Sequence, residues 1–450
     1  MKQSHDKLWI KRLIWTYFFL LIFEGALRKW LLPSAANVLL LIRDPVVLAA
    51  YFFAWRCGLF PRNVFIVAAA ILGLLSFVAG LAMLPESPAV VFFGFRTNFL
   101  QLAFIFIIPK VFDSRDVERL GYWTLIIAIP MAALMALQFM SPPQSFINSG
   151  AGDNFEQIES ALGRIRPPGT FSFISGPVYF YALVVAFLLY NPFKKCYPVW
   201  LMVAATLATL CAVAVSGSRS TAGSIGVVFL VGLACSGVLR PVMALRWLAG
   251  LIAIAVVAYF LSSLSIISSG LTVFTTRVSN ASGNEGGAVG FIARFLSGYT
   301  GFFPALYDAS LFGDGLGLGT NGGLALLADK SKFIWFEDEW KRHILESGPI
   351  LGAAFILYRV ALTGWIGAVA FRHMAKRDPL PILLFGACFL TLLNGLIGQP
   401  TTQGFMILVG GLCLAATRVP KRVAASNGIA EEAPAQIDAQ VEVPPTLLRT

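Results

Sequence analysis

The chain has 450 residues, 57% of them hydrophobic and 13% charged, with a net charge of +11. A water-soluble domain of this length carries about 25% charged residues, so a soluble globule is excluded. The basic excess does not point to nucleic acid either, because the lysines and arginines cluster at alternate ends of apolar runs, where they act as topology determinants.

Apolar runs of about 20 residues recur along the whole length, and each can cross about 30 Å of hydrocarbon as a helix. A bilayer core admits only helices or closed barrels. The runs are solid rather than alternating, so the expected fold is an all-α integral membrane protein with about 12 transmembrane helices. The expected spans are 12–31, 36–55, 63–83, 90–109, 121–140, 171–190, 198–215, 221–238, 247–264, 344–371, 381–398 and 402–417. The first run follows Lys7, Lys11 and Arg12 and has no small-residue cleavage site, so it reads as a retained signal-anchor.

With the N-terminus inside, the even-numbered gaps hold Arg56 and Arg62, then Lys110, Arg115 and Arg119, then Lys194 and Lys195, then Arg240 and Arg246, then Arg372, Lys376 and Arg377. Arg418, Lys421 and Arg422 follow the last span. The short odd-numbered gaps hold few, Arg28 and Lys29 among them. The charge rule therefore predicts both termini cytoplasmic.

Residues 1–423 read as one polytopic membrane domain with two long external segments, 141–170 and 265–343, the second between the ninth and tenth spans. Long loops usually carry function or are disordered. Trp335, Trp340, Phe302, Phe303 and many glycines predict that these fold against the membrane surface. Residues 424–450, rich in Ala, Pro, Val and Glu, read as a disordered cytoplasmic tail. The six cysteines lie in or near spans and form no CxxC pair, which disfavours a disulfide framework or a thiolate metal site.

Ionisable residues inside the spans are functional candidates, because lipid makes them costly. They are Glu24, Arg43, Asp44, Arg96 and Arg359. Arg43 and Asp44 read as a buried pair or a snorkelling end, and Arg96 in GFRTNFLQ as facing a polar cavity that opens outward. On the external side, GRIRPPGTFSFISGP places Arg164 and Arg166 before a span, and SGSRST places Arg219 in a short turn. A guanidinium there can grip phosphate with its planar fork, or anchor to lipid headgroups. The glycines of LFGDGLGLGTNGG lack a following Gly-Lys-Ser/Thr and predict a tight, close-packed turn, not a phosphate loop.

The densest charge is in WFEDEWKRHILESGPILGAAF. On a helix, Glu339 and His343 share a face, as do Arg342 and Glu346. The stretch is either a solvated, salt-bridged helix cap or a general base beside a phosphate clamp.

Taken in order, Arg166 and Gly169, Ser218 and Arg219, Gly315, Gly317 and Gly319, and then LESGPILG with Glu346, Gly348 and Gly352 resemble the bacterial O-antigen ligase and O-antigen polymerase superfamily. The likeness is spread over most of the membrane region. It implies an all-helical glycosyltransferase in the bacterial inner membrane that works on the periplasmic face. Its donor is an undecaprenyl pyrophosphate-linked oligosaccharide and its acceptor is lipid A core or another lipid-linked repeat. It implies no metal, nucleotide or other cofactor, and possible chain-length or export proteins as partners. Arginines would hold the pyrophosphate: Arg219 and Arg166 first, then Arg96 and Arg342, with Arg164 and Glu339 alongside.

Ligases of this family carry a His-Asn-type motif about eleven residues before the glycine matching Gly348, where this chain has Glu337. His343 stands only five residues before Gly348. The resemblance thus leaves Glu337 or His343 as the base and leans toward a polymerase-like relative. The chief rival is a transporter or flippase, which predicts inverted repeats or broken helices in matching halves. Neither is evident in the sequence. A non-enzymatic scaffold is the third reading.

Overall fold

In hydrocarbon a chain finds no hydrogen-bond partner but itself, so each solid apolar run closes its own backbone bonds as a helix. The structure, a computed structural model, describes residues 2–151, 163–245, 287–327 and 338–419, with positions 247, 249, 250, 268, 272, 275, 276, 333 and 336 between them. Among these residues there is no β-strand. The helices are α1 (Lys2–Ala26), α2 (Asp44–Arg56), α3 (Val64–Met83), α4 (Pro88–Phe95), α5 (Phe104–Val111), α6 (Ser114–Met140), α7 (Ser175–Lys194), α8 (Val199–Ser216) and α9 (Arg219–Leu239). After them come α10 (Gly287–Thr300), α11 (Phe302–Asp308), α12 (Asn321–Leu326), α13 (Glu339–Met374), α14 (Leu380–Asn394) and α15 (Pro400–Ala416).

Eight helical stretches among the described residues are long and apolar enough to cross a membrane, and α14 and α15 are apolar but shorter. The chain is a helical, multi-pass membrane protein. Eight, not twelve, is the number of crossing stretches found among the described residues. The expected ninth span at 247–264 and the tail at 424–450 lie almost wholly outside them.

Helix α3 shows how the bundle suits lipid. Its buried residues are Ala69, Gly73, Ser76 and Gly80, a stripe of small side chains. Val67, Ile71, Leu74 and Val78 point outward and are more than half exposed. Small residues inward and large apolar ones outward is the pattern of a membrane helix, where close approach of backbones drives packing. At the other extreme, α15 is buried on every face from Thr402 to Ala416. It is the central shaft, packed by α5, α7 and α14.

Two of the breaks within the expected spans shape the candidate site. The run 90–109 divides into α4, a π-helical turn (Arg96–Leu100) and α5. Such turns leave backbone groups out of helical register and recur at functional sites. Helix α13 breaks at Gly348, whose φ of 81° lies where only glycine is at ease, with Pro349 following.

The charge pattern that set the expected topology also groups the loops in space. Lys11 pairs with Asp116 at 2.5 Å, Arg56 with Asp6 at 3.6 Å and Lys194 with Glu118 at 2.5 Å. The Ser114 N–H donates to the Arg418 carbonyl at 3.1 Å. The start of α1 and the end of α15 therefore share one end of the bundle. There Asp113 opens α6 with a capping box, exchanging bonds with Asp116.

Candidate functional site

The site begins with the break in α13. In a straight helix, positions 339 and 359 would lie about 30 Å apart at 1.5 Å per residue. Here Arg359 Nη1 donates to Glu339 Oε1 at 3.2 Å. The ring of His343 packs on Phe355 with centroids 4.4 Å apart. Gly348 thus folds residues 339–347 back along the rest of α13. The carbonyls freed by this turn find partners in the glycine-rich loop: Asp314 N–H donates to Leu345 O at 2.8 Å and Gly315 N–H to Glu346 O at 3.3 Å. Gly317, at φ 98°, lies against Val90 and Gly94 of α4. The expected close-packed turn is present, and its function here is to hold the folded-back segment.

Both i, i+4 pairings expected on this segment form. His343 Nε2 lies 3.1 Å from Glu339 Oε1, and Arg342 Nη1 donates to Glu346 at 2.8 Å. Arg342 also donates to Glu339 at 2.7 Å and to the Asn98 side chain at 3.0 Å. The cluster is not a solvated cap, because Glu339, Arg342 and Glu346 are each 1% exposed and His343 is 2%. Two carboxylates face two guanidiniums, so its formal charge cancels with His343 neutral. Glu339 is held further by the Ile397 N–H at 3.2 Å, and Glu346 by the Gly319 N–H at 2.7 Å. Arg359 caps the end of α14, donating to the carbonyls of Thr391, Leu392 and Gly395. They lie at a helix terminus, where carbonyls run short of internal partners.

A second buried cluster joins α1, α2 and the π-helical turn. Arg43 donates to Glu24 at 3.0 Å, to the Tyr17 hydroxyl at 3.3 Å and to Pro400 O at 2.5 Å. Arg28 reaches Glu24 at 3.6 Å. Arg96 grips Asp44 through Nε and, at 3.0 Å, through Nη2. Gln101 links Asp44 at 2.7 Å to Tyr17 at 2.7 Å. This corrects the reading of Arg96 as facing an outward-opening cavity: its guanidinium is buried against a carboxylate, and unpaired charge could not persist there.

The two clusters meet at the π-helical turn, which sends Arg96 into one and Asn98 into the other. They meet again at the 391–404 connector, which binds Arg359 at one end and Arg43 at the other. Gln403 Nε2 ties the two junctions by donating to Thr97 O at 2.6 Å. Beside Glu339 and Arg342 is a cavity of about 30 Å³, lined also by Gly319, Asn321, Phe336 and Gln399. That is room for about one water.

Of the expected site residues, Glu339, Arg342 and His343 come together, whereas Arg96 goes to the Asp44 cluster. Arg164 goes elsewhere. It donates to the carbonyls of Phe139 and Met140 at 3.2 and 3.1 Å, capping α6. Arg166 is half-buried ahead of α7, and Arg219 is the half-buried first residue of α9. Glu337 lies outside the described residues. Asn98, Gln101, Gln399 and Gln403 were missed as site residues. Their signal was polar amides inside apolar runs, RTNFLQ and GQPTTQG, which hydrocarbon tolerates only when partnered.

No protein-family model matches the chain, and no curated protein matches it at a significant level.

Proposed function

We propose that this protein is a membrane glycosyltransferase of cell-surface polysaccharide assembly in the bacterial inner membrane. It would polymerise or ligate undecaprenyl pyrophosphate-linked glycan on the periplasmic face, with both termini cytoplasmic. The observation that carries the reading is the pairing of His343 with Glu339, 3.1 Å apart, where Glu339 and Arg342 line a small cavity.

Glu339 accepts from two arginines and a backbone N–H, so it is a fixed anion and a poor proton acceptor. It orients His343. A proton on Nε2 directed at Glu339 leaves Nδ1 as the basic nitrogen. His343 takes the proton of the acceptor hydroxyl as that oxygen bonds to the anomeric carbon. The bond from that carbon to the phosphate oxygen breaks, and the carrier leaves as a pyrophosphate anion. Arg342 is held by Glu339 and Glu346, and the resemblance assigns the leaving charge first to Arg166 and Arg219. Substrate entry requires the cavity to widen.

A second reading, a transporter or flippase of a lipid-linked or polar solute, is favoured by one observation. The two broken helices, α4–α5 and α13, face each other through Asn98 and Arg342, and discontinuous helices line many transport sites. Protein in liposomes, given lipid-linked repeat units without metal or nucleotide, separates the two. Longer chains and free carrier pyrophosphate, lost in His343→Ala and Arg219→Ala, support the transferase. Glu337→Gln tests the other candidate base. Movement of lipid-linked sugar between leaflets without carrier release rejects the transferase.

A further inference from the structure

Sequence alone puts the segment from the end of α10 through α11 in a long external loop, yet its anchors lie at membrane depth. Helix α14 starts at the end of the bundle that carries the termini, where Pro381 O accepts from Cys413 Sγ of α15 at 3.2 Å. Asn394 closes α14, 14 residues beyond Leu380, which is about 21 Å at 1.5 Å per residue. A hydrocarbon core is about 30 Å thick, so Asn394 stands inside it, and any tilt of α14 only sets it deeper. Asn394 Nδ2 donates to Gly298 O of α10 at 2.8 Å. Trp340 Nε1 donates to the adjacent Leu393 O at 3.0 Å. Tyr299 and Phe302 stand edge-on to the Trp340 ring, with centroids 5.3 and 5.6 Å away. Ala305 of α11 is buried in one cluster with Ile344 and Ile356 of α13.

Those contacts fix one face of α11. On the other face Phe303 and Tyr307, one helical turn apart, are 54% and 91% exposed, and Leu311 and Phe312 after them are more than half exposed. On α13, against which α11 packs, Ile350 and Leu357 are exposed in the same way, as side chains of a membrane span are toward lipid. A strip of large apolar side chains is costly in water, but at this depth the surrounding medium is lipid. Aromatic rings suit the boundary, with the ring among the chains and a tyrosine hydroxyl toward the headgroups.

We propose that the segment from Gly298 to Phe312 re-enters the leaflet opposite the termini, and that Phe303, Tyr307 and Phe312 bed in its lipid and pin this segment beside Trp340 and the folded-back start of α13. The occupant of the face is bilayer lipid, because the segment is anchored inside the hydrocarbon and its bare face continues the lipid-facing surface of α13. The inference stands whether the protein transfers or transports glycan.

The test is spin labelling of the full chain in phospholipid vesicles without added glycan. A label is placed at Tyr307→Cys, with references at Leu357→Cys on the outer face of α13 and at Asp314→Cys in the exposed turn. Each is made with Cys196→Ser, which removes the exposed cysteine. So little of Tyr307 is covered that the substitution leaves the packing intact. Relaxation of each label is read with oxygen, which concentrates in lipid, and with a water-soluble nickel chelate. The oxygen-to-nickel ratio at position 307 is expected to be severalfold above that at 314 and close to that at 357. A ratio like that at 314 overturns the proposal, because the face is then in water. A weak response to both reagents also overturns it, in favour of a protein partner or a second copy covering α11.

Discussion

Removing Arg342 should expose how the buried cluster balances its charge. Two carboxylates, Glu339 and Glu346, face two guanidiniums, Arg342 and Arg359. Arg342→Met leaves one uncompensated carboxylate in a site that is about 1% exposed. The stranded group is Glu346, which keeps backbone N–H groups of the glycine-rich loop but no cation, whereas Glu339 retains Arg359 and Ile397. Breaking a buried pair in this way costs about 3–5 kcal/mol. Glu346→Gln alone unbalances the cluster in the opposite sense and is also destabilising. The double variant restores neutrality, with Glu339 paired to Arg359, and its methionine fills much of the space of the lost side chain. We expect it to be more stable than Arg342→Met, with a coupling energy of roughly 0.5–3 kcal/mol. Thermal unfolding of the four proteins in nanodiscs, followed by tryptophan fluorescence, measures this. Additive losses, or a harmless Arg342→Met, would refute the account of the cluster as a balanced, water-poor network.

Three other outcomes follow from single positions. Gly348→Ala forces φ of 81° on a residue with a Cβ and drives that carbon into the Leu311 carbonyl. The backbone strain alone is about 1–3 kcal/mol, so the variant should unfold at lower temperature and lose activity with it. Lys29 is 2% exposed, and its ammonium donates to the Gly169 carbonyl, which Gln138 also serves. Lys29→Met removes a buried cation with no carboxylate partner among the described residues and should leave Tm unchanged or raised; a large loss would show an anionic partner at that site. Cys196 is exposed between α7 and α8, and burial of part of its surface and the nearby Glu118 push its thiol up to about 11. Its alkylation should be slow at pH 7 and quicken up to about pH 11, because the thiolate is the nucleophile. Rapid labelling at neutral pH would contradict this. The same reagent, applied to either side of sealed vesicles, reports which side the α7–α8 loop faces.

The helical class, the membrane setting and most span positions were legible because they depend on local facts, namely run length and the absence of charge. The i, i+4 pairs of 339–346 were legible for the same reason, since helix geometry fixes neighbours within one turn. The grouping of Lys11, Arg56, Lys194 and Arg418 at one end also follows from a pattern carried by each loop separately. The sequence further marked Glu24, Arg43, Asp44, Arg96 and Arg359 as anomalies in apolar runs, but the one pair it suggested, Arg43 with its neighbour Asp44, is replaced in the structure by Arg43 with Glu24 and Asp44 with Arg96.

Those partners are 19 residues apart for Glu24 and Arg43, 52 for Asp44 and Arg96, and 244 for Asn98 and Arg342. No periodicity encodes contacts at such separations. The reversal of α13 at Gly348 was likewise beyond local reading. A Gly-Pro step permits a break, but its direction depends on the 311–317 loop that receives the freed carbonyls and on the Arg359 that waits across the fold. Sequence by itself determined that this chain is a bundle of membrane helices with a few costly polar residues inside. Tertiary structure alone decided that those residues neutralise one another at a junction of two broken helices, because charge in a medium without water is stable only where distant segments bring its counter-charge to it.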